Sequence, residues 1–310
     1  MRSKIQSIMS FLDENSIDIA FIQESWLRKS DGHIISEIKE YNYQIITYRK
    51  SRRLDLGGGV AIIFKRHLKL QQIKTENFRS FESISCQVIT EKGPILFCNI
   101  YRPGYSPKNR YTANKFFSEF ILFIEKLDSH SLPTFLVGDY NFHLEAINLC
   151  VEERTENSYE INKKKEAEKF IEILSEYDYS QLVNGPTHEL GGTLDIISSN
   201  KSSLLRSWSI LEEDAVCESD HFALFFELNT KPQFMEEKTT FTYRDFKNFD
   251  KSQFIQSFLS CDLLTATESL DADKTVEEVS HQLSSLLTNQ CPSITFFFIT
   301  PLVYRKSEKS

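Results

Sequence analysis

The sequence predicts an α/β protein, two sheets packed between helices, and three observations carry that reading. Short apolar, β-rich runs recur along residues 18–228, and amphipathic helical stretches stand between them. Several of those runs end in Gly, Asp, Asn or His, the pattern of strands that deliver polar groups at their tips.

Ile5, Ile8, Met9 and Leu12 have the 3–4 spacing of an amphipathic helix over 3–12. Residues 18–22 then read as a strand that ends in Gln23-Glu24. Residues 33–39 read as a helix, 43–48 as a strand, 49–55 as a charged turn, and 60–64 after a triple glycine as a strong strand. Two strands at 83–90 and 95–101, joined by the turn Glu91-Lys92-Gly93-Pro94, suggest an antiparallel portion of a sheet. Phe116, Phe120, Phe123, Ile124 and Leu127 share one face of a helix over 111–127. Residues 134–137 read as a buried strand, 151–163 as a polar loop and 165–177 as a helix. Strands follow at 180–183, 193–197, 207–211 and 222–228. The composition changes after Asn229: 230–240 reads as a linker, 245–258 and 275–288 as modest helices, and 299–310 has no packing pattern. The expected division is therefore 1–229 and 230–310.

Of 310 residues, 40% are hydrophobic and 26% charged, enough for a full core. The net charge of −8 argues against a passive DNA-coating protein. It argues less against a metal-dependent nuclease, whose acidic site must hold cations before it meets phosphate. Cys86, Cys98, Cys150, Cys217, Cys261 and Cys291 are scattered, with no zinc spacing, so a reducing intracellular compartment is the expectation. No apolar stretch has transmembrane length, Phe296–Ile299 being too short, so no membrane partner is expected.

The chain is organised around Gly138-Asp139-Tyr140-Asn141. In an extended segment alternate side chains point the same way, so Asp139 and Asn141 are aimed at one point. The alternative for this stretch is a plain turn, since Gly, Asp and Asn are the usual turn formers. Hydrolysis of a phosphodiester needs a cation held by carboxylates, an oriented water, and donors for the developing charge. Glu24 at a strand end is a hard oxygen ligand suited to Mg²⁺, or else a solvated carboxylate. Asp139 suits the attacking water, and Asn141 the phosphate or the metal's water shell. Asp195 lies between Leu194 and Ile196, where a carboxylate is costly without a partner. Asp220 adds a carboxylate and His221 an imidazole able to exchange a proton near neutrality; a helix or turn cap is the competing reading. Tyr101, at a strand end, reaches for phosphate or anchors the core. His33, His67, His130, His143 and His281 are assigned structural places, and His188 stands between the two classes.

Read in order, residues 23–26 (QESW), 57–64 (GGGVAIIF), 100–103 (IYRP), 138–141 (GDYN), 187–197 (THELGGTLDII) and 219–221 (SDH) resemble the endonuclease/exonuclease/phosphatase superfamily. Within it the sequence looks like the apurinic-type endonuclease domain of non-LTR retrotransposons, over about residues 3–229. Residues 243–246 (YRDF) look like the segment that follows this domain in retroelement polyproteins. The resemblance implies a four-layer α/β sandwich, two mixed sheets between helices. It also implies a Mg²⁺-dependent (or Mn²⁺-dependent) nick in double-stranded DNA, leaving 3′-hydroxyl and 5′-phosphate. Glu24 would be the metal ligand with Asp220 near the metal. Asp139 and Asn141 would serve water and phosphate, Tyr101 a phosphate contact, and Asp195 and His221 an acid–base pair. Thr187 and Ser219 match supporting positions. Arg49, Lys50, Arg52 and Arg53 would meet the DNA backbone, or form a plain charged hairpin tip. The family's opening strand, which carries an asparagine at the metal site, has no counterpart after Met1, and no reverse transcriptase follows. The expectation is a sandwich with its first strand missing, in a fragment or relic of a retroelement polyprotein. It would act as a monomer in the nucleus. The alternatives are a catalytically impaired relic and a phosphatase of the same superfamily.

Overall fold

The structure is a computed structural model. It describes the chain apart from residues 2, 29, 51–57, 75, 107–109, 149–157, 212–213, 236, 245, 261–270, 292 and 301–310. Two compact units are present, Met1–Met235 and Glu236–Ser310.

In the first unit the order is α1 (Ile5–Glu14), β1 (Ile19–Ile22), α2 (Gly32–Glu40), β2 (Tyr43–Tyr48) and β3 (Val60–Lys65). Then come β4 (Leu70–Ile73), β5 (Glu82–Thr90), β6 (Gly93–Tyr101), α3 (Ala113–Asp128) and β7 (Thr134–Asp139). The unit finishes with α4 (Ser158–Glu176), β8 (Ser180–Gln181), β9 (Asp195–Ser199), β10 (Leu205–Ile210) and β11 (Leu224–Leu228).

Side-chain alternation sorts these elements into the four layers expected. A six-stranded mixed sheet runs β4-β5-β6-β7-β9-β8, with β6 and β7 parallel. Leu96, Cys98, Ile100, Leu136 and Ile196 leave one face of it to meet Phe116, Phe120 and Phe123 of α3 and Phe170 of α4. Residues one step along, Ile95, Phe97, Phe135, Val137 and Ile197, leave the opposite face. They pack on Val60, Ile62 and Phe64 of β3 and on Trp208 and Phe226 of β10 and β11. The second strand layer is in two pieces, β1-β3-β2 and β10-β11, both antiparallel. Phe21 of β1 and Phe226 of β11 stack with centroids 6.4 Å apart. Beyond this layer, Ile5, Ile8, Met9 and Leu12 of α1 and Ile34 and Ile38 of α2 cover Ala20, Ile22 and Ile63.

Several boundaries differ from the sequence reading. The helix expected at 165–177 begins at Ser158, inside the stretch read as a polar loop. The strand at 193–197 begins only at Asp195, because Thr193 and Leu194 belong to the turn before it. The edge strand β4 was not foreseen: Leu-Gln-Gln-Ile carries too little apolar character to announce itself. Residues 231–235 run along the β4–β5 end, where Glu91 N–H donates to Lys231 O (3.0 Å), Gln233 N–H to Ile89 O (2.8 Å) and Lys69 N–H to Gln233 O (2.8 Å).

The second unit pairs β12 (Glu237–Arg244) with β13 (Ser293–Thr300) in antiparallel register and adds α5 (Lys251–Leu259) and α6 (Ala272–Gln290). Asp250 and Asp271 cap the two helices by accepting from Gln253 N–H and Lys274 N–H. Among the described residues, no helix is long and apolar enough to cross a membrane.

Candidate active site

Strand register builds the floor of the site. Glu82 pairs with Tyr101 across β5–β6, Tyr101 with Asp139 across β6–β7, and Asp139 with Asp195 across β7–β9. Glu82, Tyr101, Asp139 and Asp195 thus form one row over four neighbouring strands, and laterally paired residues share a sheet face. That row closes the end of the inter-sheet core, since Ile84, Val137 and Ile197, each two residues inward, all lie in it.

Gly138 makes the close pairing of β6 and β7 possible. Its φ is +134°, and a Cβ there would fall inside the Ile100 carbonyl. After Asp139 the chain turns through Asn141 at φ +51°. Asp139 Oδ1 accepts from Asn141 N–H and Oδ2 from Asn141 Nδ2, both at 2.9 Å, while Nδ2 also donates to Arg102 O at 2.9 Å. Asp139 and Asn141 do converge, but inside a turn: the turn and the site are the same structure. Arg102 clamps it, donating from one terminal nitrogen to Tyr140 O and Asn141 O (3.0 Å each) with its guanidinium 3.9 Å over the Phe142 ring. Burial pulls the Arg102 pKa down to about 10.

Asp195 is fixed from behind by Thr187, whose buried hydroxyl accepts from Leu194 N–H (2.9 Å) and Asp195 N–H (3.0 Å). In front, Asp195 Oδ2 meets His221 Nδ1 at 2.8 Å. Burial disfavours the His221 imidazolium, but the bond to Asp195 and its charge, with Asp139 and Asp220 behind it, lift the pKa to about 9. Asp139 is pushed well above the usual carboxylate range, first by burial and then by Asp195, with Glu24 adding to the effect and His221 opposing it. Three acids therefore feel one another at this point.

The loop carrying His221 is zipped to the Thr187 loop by Phe222 N–H to Thr187 O (2.8 Å) and Glu189 N–H to Asp220 O (2.9 Å). Ser219 Oγ caps the turn by accepting from His221 N–H (3.1 Å). Asp220 is exposed, with Oδ2 3.7 Å from His188 Nε2. His188, Asp220 and His221 each offer a ligand atom within 4.8 Å of the others. Yet His188 Nδ1 accepts from Leu190 N–H (3.1 Å), which in the neutral ring leaves the proton on the nitrogen facing Asp220.

Glu24 comes from the other strand layer, just beyond β1, and is exposed. The Tyr101 hydroxyl donates to Glu24 Oε1 and the Trp26 indole N–H to Oε2 (3.3 Å). Asn99, fully buried in β6, ties the two layers beneath it: its Nδ2 donates to Ile22 O and Ala61 O, and its Oδ1 accepts from Gln23.

Of the basic cluster, Arg52 and Arg53 lie outside the described residues. Arg49 reaches the Trp26 and Leu27 carbonyls and Lys50 the Phe81 carbonyl. Both line a cavity of about 460 Å³ together with Arg79, Tyr48 and Tyr111.

Glu24, Tyr101, Asp139, Asn141, Asp195 and His221 thus stand at one place, with Thr187, Ser219 and Asp220 next to it. The donor set fits a hard divalent cation: burial first, and then the charges of Asp195 and Glu24, raise the proton affinity of Asp139, and a cation would relieve the repulsion among these carboxylates. Arg102, Asn99 and the Trp26 indole were missed as site-building groups. An asparagine inside the apolar run of β6 was the available signal for Asn99. Trp26 and Arg102 stood in the quoted motifs at 23–26 and 100–103, but nothing there gave them a role.

The model of the Endonuclease/Exonuclease/phosphatase family matches residues 1–221. Among solved structures, the chain is similar to the Xenopus laevis APE2 catalytic domain, at 14% identity over 76% of this chain and 91% of that one, TM-score 0.53. It is similar to the 3′ phosphatase NExo from Neisseria bound to product DNA hairpin, at 15% identity over 73% and 95%, TM-score 0.53. It is also similar to the endonuclease domain of TRAS1, a telomere-specific non-LTR retrotransposon, at 15% identity over 73% and 91%, TM-score 0.50. At such identities the likeness concerns the fold. None of the curated proteins matches the sequence.

Proposed function

The chain belongs to the endonuclease/exonuclease/phosphatase family, and on that premise we propose a divalent-metal-dependent endonuclease that nicks double-stranded DNA. The nick would leave a 3′-hydroxyl and a 5′-phosphate, as in target-site cleavage by a non-LTR retrotransposon, made by a monomer in the nucleus. The observation that supports this reading best is the row Tyr101–Asp139–Asp195, with His221 bonded to Asp195 and Glu24 bonded to Tyr101.

Glu24 and Asp220 would hold Mg²⁺ (or Mn²⁺). The bound cation would supply charge for the 3′ oxygen as the P–O3′ bond breaks. Asp139 takes the proton of the attacking water, and Asn141 keeps that carboxylate in place through its N–H and Nδ2. His221 is an imidazolium at neutral pH, since its pKa is about 9. It therefore enters as a donor to a non-bridging phosphate oxygen, and Asp195 keeps it charged and turned. Arg49, Lys50 and Arg79 would meet backbone phosphates.

Relaxation of supercoiled plasmid in Mg²⁺, abolished by chelator, is the direct test. Asp139→Ala and His221→Ala are each expected to slow nicking by about 10²–10⁴-fold. Unchanged rates in both would assign the activity to another site. Hydrolysis of inositol phosphates with the plasmid left intact would make the protein a phosphatase of the same family.

A further inference from the structure

Trp26 is an awkward residue for its place. Its side chain is 43% exposed, so burial does not account for an indole there. Its backbone is at φ +56°, and that of Glu24, two residues earlier, at φ +48°. A non-glycine residue in this left-handed region is strained, and such strain persists only where the surroundings impose it. Ser25 N–H donates to Gly59 O (2.9 Å) and Trp26 N–H to Gly58 O (3.1 Å), pinning the turn to the start of β3. Gly59, at φ +92°, leaves room for Ser25: a Cβ there would stand 2.7 Å from Ser25 Oγ. The turn brings the indole N–H onto Glu24 Oε2, opposite the Tyr101 hydroxyl on Oε1.

An exposed glutamate at a strand end would ordinarily turn freely about its χ angles. Here both oxygens have a donor, from two different strand layers. We propose that Trp26 is the positioning residue for Glu24: its indole N–H fixes the carboxylate in the orientation in which it takes a divalent cation. This rests on the reading of Glu24 as a cation ligand. Partners of this kind, one step removed from the ion, typically change metal affinity by about 10–100-fold. At 3.3 Å the bond is long, so the lower end of that range is expected.

The chain has two tryptophans, Trp26 and Trp208, so a Trp208→Phe background isolates the emission of Trp26. In that background, without metal, Glu24→Gln is expected to shift the Trp26 emission, because the indole loses a charged acceptor. In the wild type, Mn²⁺ binding measured by calorimetry is expected to weaken about tenfold in Trp26→Phe. The Mg²⁺ concentration needed for half-maximal nicking should rise in parallel, with the rate at saturating metal within about threefold. An emission spectrum indifferent to Glu24→Gln overturns the inference, whatever the folding of Trp26→Phe. A wild type that binds Mn²⁺ and nicks DNA, matched by Trp26→Phe in Mn²⁺ affinity, overturns this inference alone. A wild type that takes up no Mn²⁺ overturns it together with the proposed function.

Discussion

Asp139 and Asp195 are held opposite each other by a ladder of backbone bonds, whereas Glu24 is held by a turn in which two non-glycine residues are left-handed. Both sides reach the same site, where Glu24 and Asp195 each act on the Asp139 carboxyl. On the first side the side chains stand where the sheet puts them, and moving either one means slipping a strand that is buried on both faces. On the second side, position is a local affair of Gly58, Gly59, Tyr101 and Trp26. The first arrangement ties site geometry to global stability; the second leaves the geometry adjustable at little cost to the fold. Damage to the β7–β9 side should therefore show in thermal melts as well as in activity.

Gly138→Ala tests the rigid side most severely. The added Cβ would enter the Ile100 carbonyl and occupy a backbone angle that L side chains rarely adopt. The parallel β6–β7 pair would have to part, at an expected cost of about 3 kcal/mol or more. That corresponds to a Tm lower by about 6–12 °C in a domain of this size, or to protein that no longer stays soluble. A variant melting with the wild type would mean that the pairing of Ile100 with Gly138 does not set the row.

Thr187→Val is the next step down. Valine keeps the shape and removes the hydroxyl that accepts from two buried N–H groups, Leu194 and Asp195. A loss of about 1–3 kcal/mol is expected, with slower nicking because the Asp195–His221 pair shifts. Thr187→Ser restores the acceptor and should recover most of both. If Ser and Val behave alike in melts and in nicking, Asp195 is positioned by the strand alone.

The sequence was read most easily where chemistry and periodicity conflict. Asp195 breaks an apolar run, and Asp139 and Asn141 stand at the end of one, so all three were visible, although a turn and not strand alternation brings Asp139 and Asn141 together. The α/β order of residues 5–228 was visible for the same reason, since long apolar alternations and a phenylalanine-rich helix face admit few other readings. What stayed hidden depends on distant partners. The left-handed turn at Glu24 needs Gly58 and Gly59, more than thirty residues on, and the Arg102 clamp needs the Tyr140 and Asn141 carbonyls. Leu70–Ile73 and Glu237–Arg244 are strands because a neighbour pairs with them, and their own residues say little.

The smallest effect concerns pH, and it separates the two sides without touching Glu24. The His221 pKa is raised from 6.5 to about 9 in the folded protein. Between those values the native state binds a proton that the unfolded chain releases. The stabilisation is complete below pH 6.5 and is lost as the pH rises through about 9. Asp139 is raised as well, so its contribution has the same sign. Metal-free protein should thus melt progressively lower from about pH 6.5 to pH 9.5. With the His221 side chain 30% exposed and the pair open to salt, the change should be on the order of 1 kcal/mol, about 2–4 °C. The difference between wild type and Asp195→Asn isolates the pair: it should be largest near neutrality and close toward pH 9.5. Curves that stay parallel over that range would mean that the imidazolium contributes nothing to holding β9 and the His221 loop together. The site's rigid side would then be rigid by backbone pairing alone.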